Sequence, residues 1–261
     1  MKIFVGIVLL AVVLAVLLWP PSKEESKEHV LKPDEKVPEK QAVQLLTTQD
    51  AILFIEKKQN VYDVEKYLRS KGIPYTATVS DEGRLHWGRY EIKRGTPVQD
   101  VIKRMKAKFS KYNGKVSYDT LILASLVEKE MWDKTEARRL AGVFKNRLEK
   151  GMRLQSDPTT VYGHYRKYLK RNPPRILRKD WDVKSAWNTY KIKGLPATPI
   201  CTPTKTAINA VKNPEKHEYL FFMGKGGRKH HFSKTYQEHL DFGKKLRADR
   251  DKKKSKKKGK K

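Results

Sequence analysis

The chain of 261 residues has little cysteine, few acidic side chains and a modest share of apolar residues. It contains one cysteine, Cys201, so no internal disulfide can form; this fits a reducing compartment or an exported protein that does not use disulfides. Asp and Glu total 29 against 58 Lys and Arg, which gives a net charge of +29. An apolar share of 38% suffices for a small core. The charge implies a polyanionic partner or an anionic surface.

Several catalytic signatures are absent as well. No Gly-rich phosphate loop follows a strand, and no G-x-S-x-G motif is present. Cys201 lies in a Pro-rich turn without a neighbouring base, which argues against a cysteine nucleophile. His230 and His231 have no cysteine partner and no further histidine at metal-ligand spacing. We therefore expect neither a metal site nor a cofactor.

One long apolar run opens the chain. Residues 3–19, IFVGIVLLAVVLAVLLW, carry no charge and would rise about 25 Å as a helix, at the short end of a membrane span. Trp19-Pro20-Pro21 follows, where a cleaved signal peptide would have small residues. We predict a transmembrane anchor over residues 1–19, with a cleaved signal peptide as the alternative, and a solvated linker rich in Lys, Glu and Pro over residues 20–42.

Beyond the linker, the hydrophobic patterns predict an α+β fold. In the first part, residues 43–110, we expect a strand at 51–55, a helix over 61–72, a second strand, and a helix capped by Thr96. In the second part, residues 111–243, we expect helices at 117–131 and 135–150, a loop through 153–163, a short strand near 187, a helix before Pro214, and a hairpin around 224–229. The tail, 244–261, holds twelve Lys or Arg against two Asp and is predicted to be disordered.

Two carboxylates end the helix at 117–131, whose residues 121–127 carry no charge and should be buried. Burial raises the pKa of a carboxyl group, which is the condition for a general acid near neutral pH. Glu128 and Glu130 are two residues apart and point about 160° away from each other on a helix, so only one can face a given site. The alternative is that both are ordinary acids at a helix end.

Further candidates are polar residues in loops or at strand ends, where side chains are displayed to ligands. The alternative for each is a turn former, a helix cap or a surface group with its own protein partner. These candidates are Gln155, Asp157, Asn188, Tyr190 and His230.

Four blocks together resemble the membrane-anchored endolytic murein transglycosylases, the YceG-like family. They are ASLVEKE, LAGVFKNRLEKGMRLQSDPTTVYG, NTYKIKGLPATPIC and YLFFM…HHFSKTYQEHL, in that order and spacing. The resemblance covers about residues 117–240. RLHWGRYEIKRGTPVQDVIKRM also looks like the end of the LysM-like subdomain of that family. The chain departs from the family pattern at Met131, Ala197 and Thr198.

The resemblance implies an α+β fold in which a small LysM-like subdomain at 43–110 precedes a mixed α+β catalytic domain at 111–243. It implies a lytic cut of peptidoglycan strands between N-acetylmuramic acid and N-acetylglucosamine, giving 1,6-anhydro ends, on nascent strands whose elongation it terminates. Glu130 would be the catalytic acid, with the five polar candidates as substrate-binding residues and no metal or cofactor. Peptidoglycan synthases are candidate partners. The expected location is the cytoplasmic membrane, single-pass, with the catalytic domain on the periplasmic or extracellular side.

Two other functions fit the sequence less well. The first is a membrane-tethered wall-binding or scaffold protein that has the fold but no activity. The second is a nucleic-acid binder, which only the charge suggests. No repeat of aromatic and basic residues is present, and much of the positive charge lies in the tail, so we expect no nucleic-acid partner.

Overall fold

The computed structural model describes residues 45–168 and 177–258. The predicted anchor at 1–19 and linker at 20–42 lie outside these residues. Among the helices that are described, none is long and apolar enough to cross a membrane.

The first part of the chain is a two-stranded antiparallel sheet packed with two helices. Its elements are β1 (Ala51–Ile55), α1 (Val61–Ser70), β2 (Gly88–Ile92) and α2 (Val98–Asn113). Side chains alternate along each strand, so Leu53 and Ile55 of β1 lie in the same apolar core as the buried faces of both helices. The predicted strand at 51–55 is confirmed. The predicted cap is wrong: Pro97 is the N-cap of α2, and the Thr96 hydroxyl donates to the carbonyl of Lys93.

The second part is built around one buried helix. Its elements are α3 (Tyr118–Glu130), α4 (Ala137–Glu149), α5 (Asp157–Tyr168), α6 (Lys205–Lys212), β3 (Phe221–Gly226), β4 (Lys229–Ser233) and α7 (Tyr236–Lys258). Helix α3 packs against α4, α5 and α6, and every residue from Leu121 to Glu128 is buried, as its uncharged run predicts. The hydroxyl of Ser117 caps the helix by accepting from the backbone N–H of Thr120. The antiparallel hairpin β3–β4 is confirmed.

Two predicted segments differ from the structure. The predicted loop at 153–163 ends at Ser156, because Asp157 and Pro158 begin α5; an acid and a proline both suit a first helical turn. The predicted strand near 187 is a run of turns, because the side chain of Asn188 accepts from the backbone N–H of Tyr190 and folds the chain back on itself.

Helix α7 also differs from the prediction of a disordered tail, because it continues to Lys258. Lysine and arginine are good helix formers, and the first half of α7 is anchored on the hairpin. There the ring of Phe242 stacks on His231 at 3.8 Å, and Met223 packs against Gly243. Among the side chains that the structure describes beyond Gly243, Lys244, Lys245, Arg247, Arg250 and Lys252 are exposed to solvent.

The small module, residues 45–113, contacts the rest of the fold through buried polar groups. The backbone N–H of Thr202 donates to the carbonyl of Gln59 at 3.0 Å. The hydroxyl of Tyr162 on α5 donates to Oε2 of Glu82 at 2.5 Å. Glu82 is 1% exposed and Tyr162 is 3% exposed, so this hydrogen bond is inaccessible to water and fixes α5 against the module.

Candidate functional site

Glu130 is the last residue of the buried helix α3. The hydroxyl of Ser156 donates a 2.7 Å hydrogen bond to Oε1 of Glu130. Ser156 is 1% exposed, whereas Glu130 keeps part of its surface exposed. The carboxyl group is therefore held from the protein side and still has an opening through which a ligand can reach it.

The pKa of Glu130 is raised from its ordinary value of 4.5 to about 7. Burial among protein atoms is the main cause, because it disfavours the charged form. The hydrogen bond from Ser156 acts in the opposite direction and lowers the pKa, and the negative charge of Asp157 raises it further. A carboxyl group with a pKa near neutrality can both donate and accept a proton in one reaction cycle.

A network of hydroxyl groups fixes the segment that carries Ser156. The backbone N–H of Ser156 donates to Oγ1 of Thr189 at 3.0 Å, and the hydroxyl of Thr159 donates to the carbonyl of Ser156 at 2.7 Å. The hydroxyls of Thr159 and Thr189 share a 2.8 Å hydrogen bond. All three side chains are buried, so the network sets the position of the Ser156 hydroxyl relative to Glu130.

Gln155 lies beside Ser156 with an exposed side chain and a positive φ of 51°. Few residues other than glycine adopt this conformation, and here a buried arginine supports it. The guanidinium of Arg147 donates to the carbonyls of Arg153 and Leu154 and to Oε1 of Gln155, at 3.1, 2.9 and 3.2 Å. Arg147 therefore holds the segment in the bent path that brings Ser156 to Glu130.

Asp157 and Tyr190, two of the predicted site residues, are hydrogen-bonded to each other. The hydroxyl of Tyr190 donates to Oδ1 of Asp157 at 2.7 Å, and Nε1 of Trp181 donates to the same oxygen at 3.1 Å. Burial, the hydrogen bond to Asp157 and the negative charges of Asp157 and Glu130 all raise the pKa of Tyr190. Tyr190 is therefore a neutral hydrogen-bond donor next to the candidate acid.

Asn188 is buried, and every hydrogen-bonding position of its side-chain amide has a partner in the protein. Its Nδ2 group donates to the carbonyls of Trp181 and Val183, and Oδ1 accepts from the hydroxyl of Thr160 and the backbone N–H of Tyr190. These contacts use both N–H donors and both acceptor positions of the side-chain amide, so it can form no further hydrogen bond. In this structure Asn188 shapes the loop that presents Tyr190, and the prediction that it contacts substrate stays a prediction.

His230 lies on the hairpin and is 4% exposed. Its Nδ1 is 2.9 Å from Oε2 of Glu136, and its backbone N–H donates to both oxygens of the same carboxylate. The indole of Trp132 lies over the His230 ring, with 5.2 Å between ring centres. Glu136, Trp132, Trp181 and Ser156 were not predicted as site residues; for the two tryptophans, an aromatic residue within a polar segment is the signal that the sequence offers.

Glu128 has a separate environment from Glu130, as the helical spacing predicts. It is fully buried, and its Oε2 accepts from the backbone N–H and the hydroxyl of Thr204 at 2.9 and 2.6 Å. The ammonium of Lys58 lies 3.6 Å from its other oxygen. Glu128 thus joins α3 to the start of α6, and Glu130 is the acid that reaches the surface.

Lys58 of the small module covers the end of α3. Its ammonium donates to the carbonyls of Glu128 and Met131, each at 3.1 Å, which lie on either side of Glu130 along the chain. Carbonyls at a helix C-terminus lack intrahelical donors, and a cation there also favours the helix dipole. Lys58 reaches them with a positive φ of 64°, a strained backbone that the surrounding contacts maintain.

A cavity of about 230 Å³ opens next to this site. Its walls come from the N-cap of α1, from α3 and α5, and from the segment after Thr198. The lining residues are Asn60, Lys129, Asp157, Pro158, Val161, Tyr162 and Ile200. Lys129 and Asp157 are direct chain neighbours of Glu130 and Ser156. Within residues 45–168 and 177–258, no group of three or more His, Cys, Asp or Glu side chains could hold a metal ion.

Two departures from the family pattern are packed inside the protein. Met131 is 4% exposed and belongs to the apolar core around α3. Thr198 is 3% exposed; its hydroxyl accepts from Nε1 of Trp187 and donates to the carbonyl of Pro199, both at 2.8 Å. Both side chains are therefore inside the protein and do not present a surface to a ligand.

Comparisons with known proteins agree on one family. The model of the YceG-like family matches residues 25–245. The endolytic murein transglycosylase of Bacillus subtilis is 36% identical over 154 residues, 55% of this chain and 41% of that protein. The protein of the same name from Streptococcus pneumoniae is 35% identical over 154 residues, 54% of this chain and 28% of that protein. The match therefore spans less than half the length of these curated relatives.

A solved structure is also similar. The crystal structure of a yceG-like protein from Listeria monocytogenes matches with a TM-score of 0.59 and 27% sequence identity. The match covers 73% of this chain and 75% of that chain.

Proposed function

Because the chain belongs to the YceG-like family, we propose that it is an endolytic murein transglycosylase. It cleaves peptidoglycan strands between N-acetylmuramic acid and N-acetylglucosamine and leaves 1,6-anhydromuramoyl ends. The similar proteins of B. subtilis and S. pneumoniae carry this name. The observation that supports the proposal most directly is the carboxyl of Glu130, which combines a pKa of about 7 with partial exposure and a hydrogen bond from Ser156 that positions it.

The reaction needs one group that gives a proton and then takes one. Protonated Glu130 donates to the glycosidic oxygen as the bond from that oxygen to C1 of the muramic acid breaks. The muramic acid 6-hydroxyl attacks the same C1 and forms the new C1–O6 bond, while carboxylate Glu130 accepts the hydroxyl proton. Water takes no part. Because nucleophile and electrophile belong to one sugar, the ring closure has a large proximity advantage.

A hydrolytic glycosidase uses two carboxyl groups on opposite sides of the bond. Here the neighbouring acid in sequence, Glu128, is buried and engaged by Thr204 and Lys58. Asp157 is held by the hydroxyl of Tyr190 and the indole of Trp181, which favours its role as a structural anchor. The one-carboxyl mechanism therefore fits this site better than hydrolysis.

The proposal extends to the setting of the reaction. The apolar run at 3–19 would anchor the chain in the cytoplasmic membrane, with Glu130 on the periplasmic or extracellular side, where nascent strands are polymerised. Peptidoglycan synthases are the corresponding candidate partners. The β1–α1–β2–α2 module would be a LysM-like subdomain that contributes to glycan binding.

Digestion of purified peptidoglycan tests the proposed function. The full-length protein should release fragments with anhydromuramoyl ends, identified by mass spectrometry, and Glu130→Gln should release none while keeping its circular dichroism spectrum. Asp119→Asn, an exposed acid on the same helix, is the matched control and should retain activity.

Reducing ends in place of anhydro ends would contradict the lytic reaction, and activity in Glu130→Gln would contradict the assigned acid. A folded wild-type protein that binds peptidoglycan without cleaving it would instead be a wall-binding scaffold.

A further inference from the structure

Two indole side chains near Glu130 are exposed although each is held in place by the protein. Trp132 is 57% exposed and follows Glu130 by two residues; Trp181 is 36% exposed and donates to Asp157, the chain neighbour of Ser156. A large aromatic surface left in water is unfavourable unless a ligand covers it, and such surfaces often mark binding sites.

Trp132 is packed against the hairpin so that one face of its indole is supported. The six-membered ring lies against Gly224 of β3, where an added Cβ atom would come within 3.2 Å of two ring carbons. The ring of His230 on β4 lies behind it at 5.2 Å with an interplanar angle of 34°. Glu136 in turn fixes His230 through its backbone and its Nδ1 atom. The orientation of Trp132 is therefore set by the surrounding structure before any ligand binds.

Trp181 is supported in a similar way by different residues. Its indole stacks on the ring of Tyr190, with 4.9 Å between ring centres and 12° between planes. Its Nε1–H and the Tyr190 hydroxyl both donate to Oδ1 of Asp157, which locks the two rings together. The backbone carbonyl of Trp181 accepts from the amide of Asn188. Three of the residues predicted to bind substrate therefore hold Trp181.

We infer that Trp132 and Trp181 are stacking platforms for sugar rings of the glycan strand on which Glu130 acts. One face of a pyranose ring is formed by C–H groups with partial positive charge, and these pack favourably on the electron-rich face of an indole. A rigid platform loses little conformational entropy on binding. The inference rests on the proposed function and assigns His230 and Tyr190 as positioning residues behind the platforms.

The test measures binding without cleavage. Full-length Glu130→Gln is the parent, and the probe is peptidoglycan glycan stripped of its stem peptides, so that only sugars are available for contact. Adding Trp132→Ala or Trp181→Ala should weaken binding about tenfold each, the loss expected for one aromatic contact of about 1.4 kcal/mol. Trp132→Phe and Trp181→Phe should keep most of the affinity because they keep a ring. Tyr236→Ala, which removes a 60% exposed ring from α7, is the matched control and should not change it.

Unchanged binding in both alanine variants would overturn the inference, as would phenylalanine variants that bind as poorly as the alanine ones. The outcome is separate from that of the proposed function. If wild-type protein released no anhydro ends while stripped glycan still bound in a tryptophan-dependent way, the platforms would stand and the lytic activity would not.

Discussion

The hydroxyl of Ser156 donates a 2.7 Å hydrogen bond to Oε1 of Glu130, and so lowers the pKa of a carboxyl group that burial raises. The two effects together place the pKa of Glu130 at about 7. Since the proposed reaction uses both the acid and the carboxylate form of Glu130, the opposition between burial and this hydrogen bond sets the pH range of activity.

Ser156→Ala should shift the pH profile of activity upward. A donor to the carboxylate stabilises the charged form, so its loss raises the pKa of Glu130, by about one unit for a hydrogen bond worth about 1.4 kcal/mol. The measurement is kcat/KM for release of anhydro ends between pH 5 and 9. Ser156→Thr keeps the hydroxyl and serves as the control. A fall in activity with an unmoved alkaline limb would mean that Ser156 affects orientation alone.

Glu130→Gln should make the protein more stable at alkaline pH. Below pH 4.5 the acid is protonated in both the folded and the unfolded state. As pH rises from 4.5 to 7 the folded state keeps a proton that the unfolded chain releases, so wild-type stability falls, by about 3 kcal/mol in total. Thermal unfolding should therefore show a higher Tm for Glu130→Gln at pH 8, by roughly 5–10 °C, and little difference near pH 4. Equal Tm values at pH 8 would show that burial does not raise this pKa.

Lys58→Met should lower both the stability and the turnover number. The change removes the donor to the carbonyls of Glu128 and Met131 and the cation beside the Glu128 carboxylate. A buried polar group that loses its hydrogen-bond partner lowers the free energy of unfolding by about 1–3 kcal/mol. Without Lys58 the end of α3 is also less well held, so Glu130 is displaced. Urea unfolding and separate kcat and KM values are the measurements, with a fall in kcat at constant KM expected. Lys57→Met, an exposed neighbour, is the matched control; an equal effect there would exclude a specific role for Lys58.

Deletion of residues 244–261 should weaken binding to vesicles that contain anionic phospholipid. The exposed basic side chains of the second half of α7 include Lys244, Lys245 and Arg247. Attraction between such exposed charges and a surface is screened by salt, so the difference should be large at low ionic strength and small at high ionic strength. Neutral vesicles are the control for both proteins. Binding that is unaffected by the deletion at low salt would rule out this role.

Local patterns in the sequence predict the parts of this fold that depend on neighbouring residues. The uncharged run from Leu121 to Val127 predicts the buried helix α3, because a helix that is apolar on all sides has no face for water. The spacing of Glu128 and Glu130 likewise predicts two different environments.

Contacts between distant segments could not be predicted in this way. His230 and Glu136 are 94 residues apart, and Ser156 and Glu130 are 26 apart, so no periodicity links them. The amide of Asn188 shows the same limit, since only the folded loop reveals that its partners are all within the protein. The composition of the basic tail predicts disorder, whereas the structure shows helix α7 continuing to Lys258. The first turns of α7 pack on the hairpin, and the helix extends from them into the basic segment.

The contacts of the small module limit how the protein can change during evolution. A module without such contacts could be exchanged for another at little cost. This module supplies Lys58 to the end of α3, the carbonyl of Gln59 to Thr202, and the carboxylate of Glu82 to Tyr162. A replacement would have to offer all three groups in the same places, so recombination at this boundary would separate the acid from its support. The two parts are therefore expected to be inherited together.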